Sequence, residues 1–233
     1  MMKKDPKIMI TKDGPYLISG NLPIDKQIIT IGKEGEPEKW VKSKKISSDQ
    51  PCALCRCGQS KNKPFCDGAH AKVGFDGAET ASKKPFDKQA KVMDGPTLRL
   101  KDVPDLCSAA RFCHRAGGTW ELTHHSDNPK ARELAIEEAC SCPSGRLVEC
   151  DKKSGKVLER EFEKSISLVE DPQNKVSGPL WVKGGVPVES SDGSTYEIRN
   201  RVTLCRCGKS KNKPFCDGSH IDEGFNDGDE SLK

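Results

Sequence analysis

The sequence predicts an α+β protein in which two β-rich modules flank a small helical segment. One run of residues, at positions 55–70, returns almost unchanged at positions 205–220. Short β-branched runs precede the first copy, which is typical of strands. Between the two copies, proline and asparagine stand where helices begin. These observations give the order β-rich module, helical segment, β-rich module.

The first strands are expected close to the N-terminus. Around residues 8–32 the chain contains three β-branched runs, with the sequences KIMI, YLIS and QIITI. Turn-forming residues separate them, at Asp13-Gly14-Pro15 and between Asn21 and Pro23. This pattern predicts short strands joined by tight turns.

The repeat is longer than the 55–70 motif. Residues 14–23 (GPYLISGNLP) resemble residues 178–187 (GPLWVKGGVP), and a Gly-Phe pair follows each motif at 74–75 and 224–225. The repeat therefore spans roughly 14–76 and 178–226, which makes it a whole structural module. We predict an N-terminal domain over 1–76, a linker over 77–104, a central domain over 105–171 and a C-terminal domain over 172–233.

Each copy of the motif contains three cysteines and one histidine. They are Cys55, Cys57, Cys66 and His70 in the first copy, and Cys205, Cys207, Cys216 and His220 in the second. If Asp67 caps a helix, Cys66 and His70 are spaced i, i+4 and face the same way. The Cys-x-Cys spacing is tighter than the cysteine pair of an ordinary structural zinc site. The motif predicts a metal site, and zinc stays open as its occupant because three thiolates and one imidazole can bind it tetrahedrally.

The motif resembles that of the CDGSH iron–sulfur family, the family of mitoNEET and the Miner proteins. Its pattern is C-x-C-x2-S-x3-P-x-C-D-G-(S/A)-H, and both copies match every position. The resemblance implies one [2Fe–2S] cluster per copy, with Cys-x-Cys on one iron and Cys plus His on the other. It also implies that the modules pair as an internal pseudo-dimer with interleaved strands. MitoNEET has a membrane anchor, whereas this sequence lacks an apolar run near the ~20 residues that a membrane span needs.

The central domain contains four further cysteines, Cys107, Cys113, Cys140 and Cys142. We predict one helix from Pro104 to Gly117 and a second that starts at Pro129, with Asp127 or Asn128 as its cap. The preceding linker is polar, and residues 97–100 predict a lone strand within it. After the second helix, β-branched and leucine-rich pairs at 147–148, 157–158 and 166–169 predict a return to strands.

The central cysteines resemble the ligand pattern of ferredoxins. Bacterial ferredoxins use C-x2-C-x2-C together with a remote Cys-Pro; here Ala110 stands at the middle position and Cys142 precedes Pro143. The resemblance to divergent mono-cluster ferredoxin domains implies a [3Fe–4S] or [4Fe–4S] cluster on Cys107, Cys113 and Cys142, with Cys140 as the candidate fourth ligand. Two alternatives stay open: small buried side chains without a metal, or zinc.

Several other cysteines and histidines lie outside these patterns. We interpret Cys52 and Cys150 as spare thiols, although Cys52 is close enough to Cys55 to be a weak alternative ligand. His114, His124 and His125 do not have ligand spacing and are expected to lie exposed in loops.

The composition points to a reducing compartment. The chain of 233 residues has 12 cysteines, only 5% aromatic residues and a net charge of +4. Cysteines spaced with histidine are typical of metal binding rather than disulfides, so we predict a cytoplasmic protein. The small net charge gives no indication that the protein binds nucleic acid or a membrane surface. No apolar run follows the basic start, so a secretory signal is not expected.

The predicted function is that of a soluble iron–sulfur protein that transfers electrons, or stores and transfers clusters, rather than that of an enzyme. An imidazole in place of a thiolate makes a cluster less negative and sensitive to acid. The motif lysines favour an acidic redox protein as partner, and the internal pairing predicts a monomer. Two alternatives stay open: a zinc-binding interaction module without redox activity, and an enzyme whose substrate binds an open iron at the central site.

Overall fold

The structure is a computed structural model and describes residues 5–233. Residues 1–4, part of the basic start for which no secretory signal is predicted, lie outside the described residues. The strands of the described chain are β1 (Lys7–Ile10), β2 (Tyr16–Ser19), β3 (Ile24–Ile31), β4 (Pro37–Ile46), β5 (Cys52–Leu54), β6 (Lys91–Asp94), β7 (Leu98–Asp102), β8 (Leu147–Asp151), β9 (Ser165–Asp171), β10 (Val176–Lys183), β11 (Val188–Glu189) and β12 (Arg201–Leu204). The α-helices are α1 (Ala69–Lys72), α2 (Phe86–Gln89), α3 (Thr119–His124) and α4 (Pro129–Ser141). The predicted α+β class is confirmed.

Two sheets contain strands from both ends of the chain. One has the strand order β11-β1-β2-β5, and the other has the order β12-β10-β9-β3-β4. In the first, β1 pairs in parallel with β11, and Ile8 lies opposite Val188. In the second, β3 pairs in parallel with β9, and Ile24 lies opposite Ile166. Each sheet therefore includes at least one strand from the other module.

One apolar core joins these two sheets. Tyr16 and Ile18 of β2 are fully buried, while Leu17 and Ser19 are half-buried, as expected for a strand with one face on the core. Leu54 and Leu204, which come directly before the two Cys-x-Cys pairs, lie in this same core. Burial of such a side chain contributes about 1.5–3 kcal/mol. Both metal-binding motifs are therefore anchored to a common core.

The central segment forms a separate three-stranded sheet with the order β6-β7-β8. Its middle strand is β7, so the strand predicted at 97–100 is not isolated, and β6 and β7 both lie within the predicted linker. Leu98 and Leu100 are fully buried and alternate with charged residues. Leu98 pairs with Asp151, and this separation in sequence explains why local patterns did not reveal the sheet.

Of the two helices predicted for the central segment, one forms and the other does not. The second is confirmed: α4 begins at Pro129, and Asn128 Oδ1 accepts a hydrogen bond from the Lys130 N–H at 2.9 Å. The first is wrong, because only short 3₁₀ turns form, over Pro104–Leu106 and Phe112–Gly117. Between them, Ala109 and Arg111 have φ values of 56° and 64°, a left-handed conformation that interrupts a helix.

Over the residues that the structure describes, no helix combines the length and the apolar character that a membrane crossing requires.

Candidate metal centres

The N-terminal motif follows β5 and ends in the single turn α1. The Sγ atoms of Cys55 and Cys57 lie 3.8 Å apart. Cys66 Sγ lies 3.4 Å from His70 Nδ1. Asp67 Oδ1 accepts a hydrogen bond from the Ala69 N–H at 3.0 Å, but the residue at the N-cap of α1 is Gly68 and not Asp67 as predicted. Cys66 itself precedes the helix, so the loop rather than a helical face brings it to His70.

The C-terminal motif has the same donor geometry. The Sγ atoms of Cys205 and Cys207 lie 3.7 Å apart, and Cys216 Sγ lies 3.5 Å from His220 Nδ1. Asp217 Oδ1 again accepts from a backbone N–H, that of Ser219 at 3.0 Å. Residues 218–224 form turns rather than an α-helix. The hydrogen bond between the aspartate and the backbone two residues later is therefore common to both copies, whereas the helix is not.

The four donors of each motif fall into two pairs. Two sulfur donors on one tetrahedral metal, with bonds of about 2.3 Å, lie roughly 3.8 Å apart, and a sulfur–nitrogen pair lies slightly closer. Each observed pair fits this spacing. In the described chain, however, no three of these cysteine and histidine donors lie within 4.8 Å of one another. Each motif thus presents two separate donor pairs rather than one set of four close donors.

Burial controls the charge of these donors. It raises the pKa of the Cys57 thiol to about 11, with the neighbouring Cys55 adding to the effect. Burial also raises the pKa of Cys216 well above its usual value. Burial, together with the nearby Arg206, lowers the pKa of His220 to about 4. A hydrogen bond from Cys207 instead lowers the pKa of the Cys205 thiol to about 6. The thiols of Cys57 and Cys216 lose their protons only when a cation is bound, which is the behaviour of a metal site.

The central segment has a donor pocket of its own. A small pocket of about 20 Å³ is lined by Cys107, Ser108, Ala109, Ala110, Arg111, Phe112, Cys113, Cys142, Pro143, Arg146 and Leu147. Burial, with Cys142 and Cys107 nearby, raises the pKa of Cys113 to about 12. The Cys140 thiol does not line this pocket and instead donates to the Leu158 carbonyl at 3.4 Å. The structure brings together three of the four central cysteines.

Family models match most of the regions identified above. The model described as iron-binding zinc finger CDGSH type matches residues 13–71 and 177–221. The model described as divergent 4Fe-4S mono-cluster matches residues 93–152, which include β7, β8 and the end of β6. The chain is a two-CDGSH iron–sulfur protein. Neither a curated protein nor a solved structure matches it significantly.

Polar residues that the two CDGSH loops share have structural roles. Ser60 Oγ donates to the Phe65 carbonyl at 2.6 Å and accepts from the Asn62 N–H at 3.0 Å. Ser210 makes the corresponding bonds at 2.7 and 3.0 Å. These hydrogen bonds close the loop between the two donor pairs and hold the pairs at a set separation.

Sequence reasoning missed the arginine inside each Cys-x-Cys. Arg56 and Arg206 are 1% and 2% exposed, and each guanidinium lies over a phenylalanine ring of its own module, Phe75 or Phe225. Arg206 is ion-paired with Glu170 at 2.9 Å. The signal was present, because the variable position of Cys-x-Cys is arginine in both copies. Each arginine is therefore a buried cation between the two cysteines of its motif in sequence, and the Arg206 guanidinium is also paired with Asp227.

The other cysteines and histidines lie apart from the three donor sets. Cys52 lies in β5, where it pairs with Ile18, and Cys150 is buried in β8. His114 and His124 are exposed, and His125 Nε2 forms an exposed contact with Glu121 at 2.9 Å.

Proposed function

We propose that the chain holds two [2Fe–2S] clusters and one larger iron–sulfur cluster, and that it acts as a one-electron carrier or a cluster donor. The observation that carries this proposal is the division of each CDGSH donor set into two metal-sized pairs. One zinc ion would draw all four donors to within about 4 Å of one another. Two metal positions bridged by sulfide would instead keep the pairs apart, as they are here.

The two donor pairs of each CDGSH motif indicate which residues would bind each iron. In the N-terminal module, Cys55 and Cys57 would hold one iron, and Cys66 with His70 would hold the other. In the C-terminal module, the same roles would fall to Cys205 with Cys207, and to Cys216 with His220. When bound, such clusters supply reversible one-electron chemistry and can be lost as a unit.

The residues around these ligands support a redox role. Arg56 is buried and donates to the carbonyls of Thr11 and Gly77, whereas Arg206 is paired with the carboxylates of Glu170 and Asp227. Arg56 therefore adds net positive charge to the N-terminal module, and buried positive charge favours the more negative, reduced state of a cluster. Neutral histidine in place of a fourth thiolate acts in the same direction. Together these features favour a potential higher than that of a cluster with four cysteines.

We also propose that the two modules form an internal pseudo-dimer, so that one chain is the functional unit. The exchange of β3 and β11 between the sheets supports this pairing. So does the close packing of Gly58 against Cys207 and of Gly208 against Cys57. Since each module receives a strand from the other, neither is expected to fold independently.

The central segment would hold a [3Fe–4S] cluster, or a [4Fe–4S] cluster with one iron that lacks a protein thiolate. Cys107, Cys113 and Cys142 would be the ligands, since all three line the central pocket. Ala110 stands where a ferredoxin has its middle cysteine and lines the same pocket. Arg146 also lines it and is held by Asp102 at 2.6 Å, so a fixed positive charge faces the site.

A reducing compartment such as the cytoplasm would suit this chemistry. All twelve cysteines, which lie within the described residues, are free thiols. Because disulfides are rare where glutathione and thioredoxin keep thiols reduced, this pattern supports such a location. The redox partner would be another protein.

The experiment that tests the function distinguishes electron transfer from cluster donation. The anaerobically purified full chain is reduced with dithionite and mixed either with oxidised cytochrome c or with an apo-ferredoxin. A carrier reduces cytochrome c and keeps its visible spectrum, whereas a donor yields holo-ferredoxin and loses absorbance. A colourless protein that carries stoichiometric zinc and does neither would contradict the proposal.

A further inference from the structure

The two CDGSH sites have almost the same sequence but differ in exposure. In the C-terminal site, Cys216 and His220 are 3% and 4% exposed. In the N-terminal site, Cys66 and His70 are only partly buried. These are the donors at the outer end of each loop, so the N-terminal site is the one that solvent and other molecules can reach.

The central segment accounts for this difference. A β-carbon added at Gly68 would meet no atom within 4 Å, whereas one added at the equivalent Gly218 would lie 3.3 Å from Ala109 Cβ and 3.5 Å from the Cys107 carbonyl oxygen. The covering loop is held in place by Arg111, whose Nη1 lies 2.6 Å from Asp171 Oδ2. Cys107 belongs to the central donor pocket, so the central site closes the C-terminal one.

A second segment covers the C-terminal loop from another side. The Thr80 N–H donates to the Lys213 carbonyl at 2.8 Å, and Thr80 Oγ1 donates to the Lys211 carbonyl at 2.7 Å. Asn212 Nδ2 also donates to the Asp105 carbonyl at 2.8 Å. The backbone of this loop is therefore occupied by contacts within the chain, and a partner protein would have to displace them.

The surface around the N-terminal site is basic and partly apolar. Lys61 and Lys72 are exposed, and Val73 is 53% exposed. The positions equivalent to Lys72 and Val73 in the C-terminal module are Asp222 and Glu223, so the two copies carry opposite charge just after the histidine.

The basic surface continues onto the edge strand β4. Four lysines of this strand are exposed: Lys39, Lys42, Lys44 and Lys45. Lys44 and the loop residue Lys63 line one cleft of about 420 Å³, which joins β4 to the N-terminal CDGSH loop. The opposite wall of this cleft carries Asp227, Asp229 and Glu230, so the basic surface is the β4 and loop side of the cleft. Lysines on an edge strand also prevent unwanted strand pairing. Protection of the edge strand does not require further lysines on the neighbouring CDGSH loop, where Lys61 and Lys63 also lie.

We propose that the N-terminal CDGSH loop and β4 form the docking face for an acidic protein partner, while the C-terminal site is closed to partners. We call this surface, defined by Lys44, Lys61, Lys72 and Val73, the basic face. The proposal rests on the proposed function, because the partner would exchange electrons or a cluster at the exposed end of the N-terminal site. Complementary charge would mainly speed the encounter and set the orientation, and salt would weaken both effects.

Charge reversal with a matched control tests the docking face. The probe is an acidic [2Fe–2S] ferredoxin, and binding to the iron-loaded full chain is measured by calorimetry at low and high ionic strength. The test variant is the double substitution Lys44→Glu with Lys61→Glu. The control is Lys211→Glu with Lys153→Glu, which makes the same change in net charge at the C-terminal loop and at an exposed turn.

The expected result is salt-dependent binding that the test variant weakens by about tenfold or more and the control by less than about twofold. Equal weakening by both variants would overturn the proposal. So would salt-independent binding of the wild-type chain, or tighter binding of a single-stranded oligouridylate than of the ferredoxin at the same salt. Sulfide content is measured on every sample, so a protein without clusters contradicts the proposed function and not merely the docking face.

A spectroscopic measurement tests the difference in exposure without a partner. A neutral gadolinium complex in solution relaxes the paramagnetic resonance signal of a nearby reduced cluster, and the effect falls steeply with distance. His70→Cys and His220→Cys each shift one signal and so assign the two. We expect the N-terminal signal to relax several-fold more strongly, and equal relaxation of both signals would overturn the inference.

Discussion

Gly58 lies so close to Cys207 of the other module that a β-carbon at Gly58 would fall 2.4 Å from the Cys207 carbonyl oxygen. The relationship is reciprocal, since a β-carbon at Gly208 would fall 2.5 Å from the Cys57 carbonyl oxygen. Each glycine immediately follows the second cysteine of its own Cys-x-Cys. The two cluster loops therefore touch through backbone atoms, and only glycine permits the contact.

Gly58→Ala is expected to destabilise the pairing of the modules. The positive φ of 74° costs roughly 1–2 kcal/mol for alanine, and the clash with Cys207 adds about 1–3 kcal/mol. Gly68→Ala is the matched control, because φ is also positive at 83° but the added methyl meets open space. Urea unfolding of the iron-loaded chain measures both. Equal losses of stability in the two variants would show that the loops do not pack as described.

Cys142→Ser is expected to remove the central cluster alone. Cys142 lines the central pocket, whereas the Cys140 thiol bonds the Leu158 carbonyl outside it. Cys140→Ser is therefore the control and should keep the full iron content. Iron and sulfide analysis with paramagnetic resonance distinguishes the variants. A loss of the central signal in Cys140→Ser would make Cys140 a ligand, and unchanged iron in Cys142→Ser would mean that the central site holds no cluster.

Acid is expected to release the N-terminal cluster before the C-terminal one. His220 is 4% exposed, and burial with the nearby Arg206 lowers its pKa even without a metal, so solvent protons reach this imidazole poorly. His70 is partly exposed and can be reached by solvent protons. Stopped-flow absorbance between pH 7 and pH 4 should show two phases, of which His70→Cys slows only the faster. Slowing of that phase by His220→Cys instead would reverse the assignment.

Glu149 is expected to make the central segment less stable as pH rises. Its side chain is fully buried, Oε1 accepts from Thr123 Oγ1 at 2.5 Å, and Oε2 has no partner among the described residues. Burial raises the pKa of this carboxyl to about 7. The folded state therefore binds a proton that the unfolded state releases above its pKa of about 4.3. Stability is greatest below that value and falls as pH rises through about 7.

Glu149→Gln removes this titration. Between pH 6 and pH 8 the wild-type chain is expected to lose about 1 kcal/mol of unfolding free energy through Glu149, and the variant is not. Glu133→Gln, at an exposed position on α4, is the control and should follow the wild type. The measurement is the urea midpoint at both pH values. A variant with the wild-type pH dependence would show that Glu149 is not buried as a neutral acid.

The sequence was sufficient to predict the repeated modules and the CDGSH donor pairs. Motif spacing is local information, and the distance between Cys55 and Cys57 depends on the three residues involved and the loop that follows. The short strands β1 and β2 were also predictable, because alternating burial leaves a visible pattern. Asn128 and Pro129 marked the start of α4 for the same reason: a helix cap is a local signal.

Features that depend on distant contacts were not predictable from local patterns. Helical signals at Pro104 and Gly117 suggested one helix, but the loop between them wraps the central pocket and takes left-handed conformations at Ala109 and Arg111. The difference between the CDGSH sites was equally hidden, since Gly68 and Gly218 occupy the same motif position. Only the tertiary contact with Ala109 distinguishes them.

Acid-labile sulfide, counted with iron in anaerobically purified protein, tests the presence of iron–sulfur clusters most directly. We expect about four irons and four sulfides from the two CDGSH sites, rising to about seven or eight irons with the central cluster. Zinc in place of iron, with no sulfide released on acidification, would contradict the assignment of all three sites.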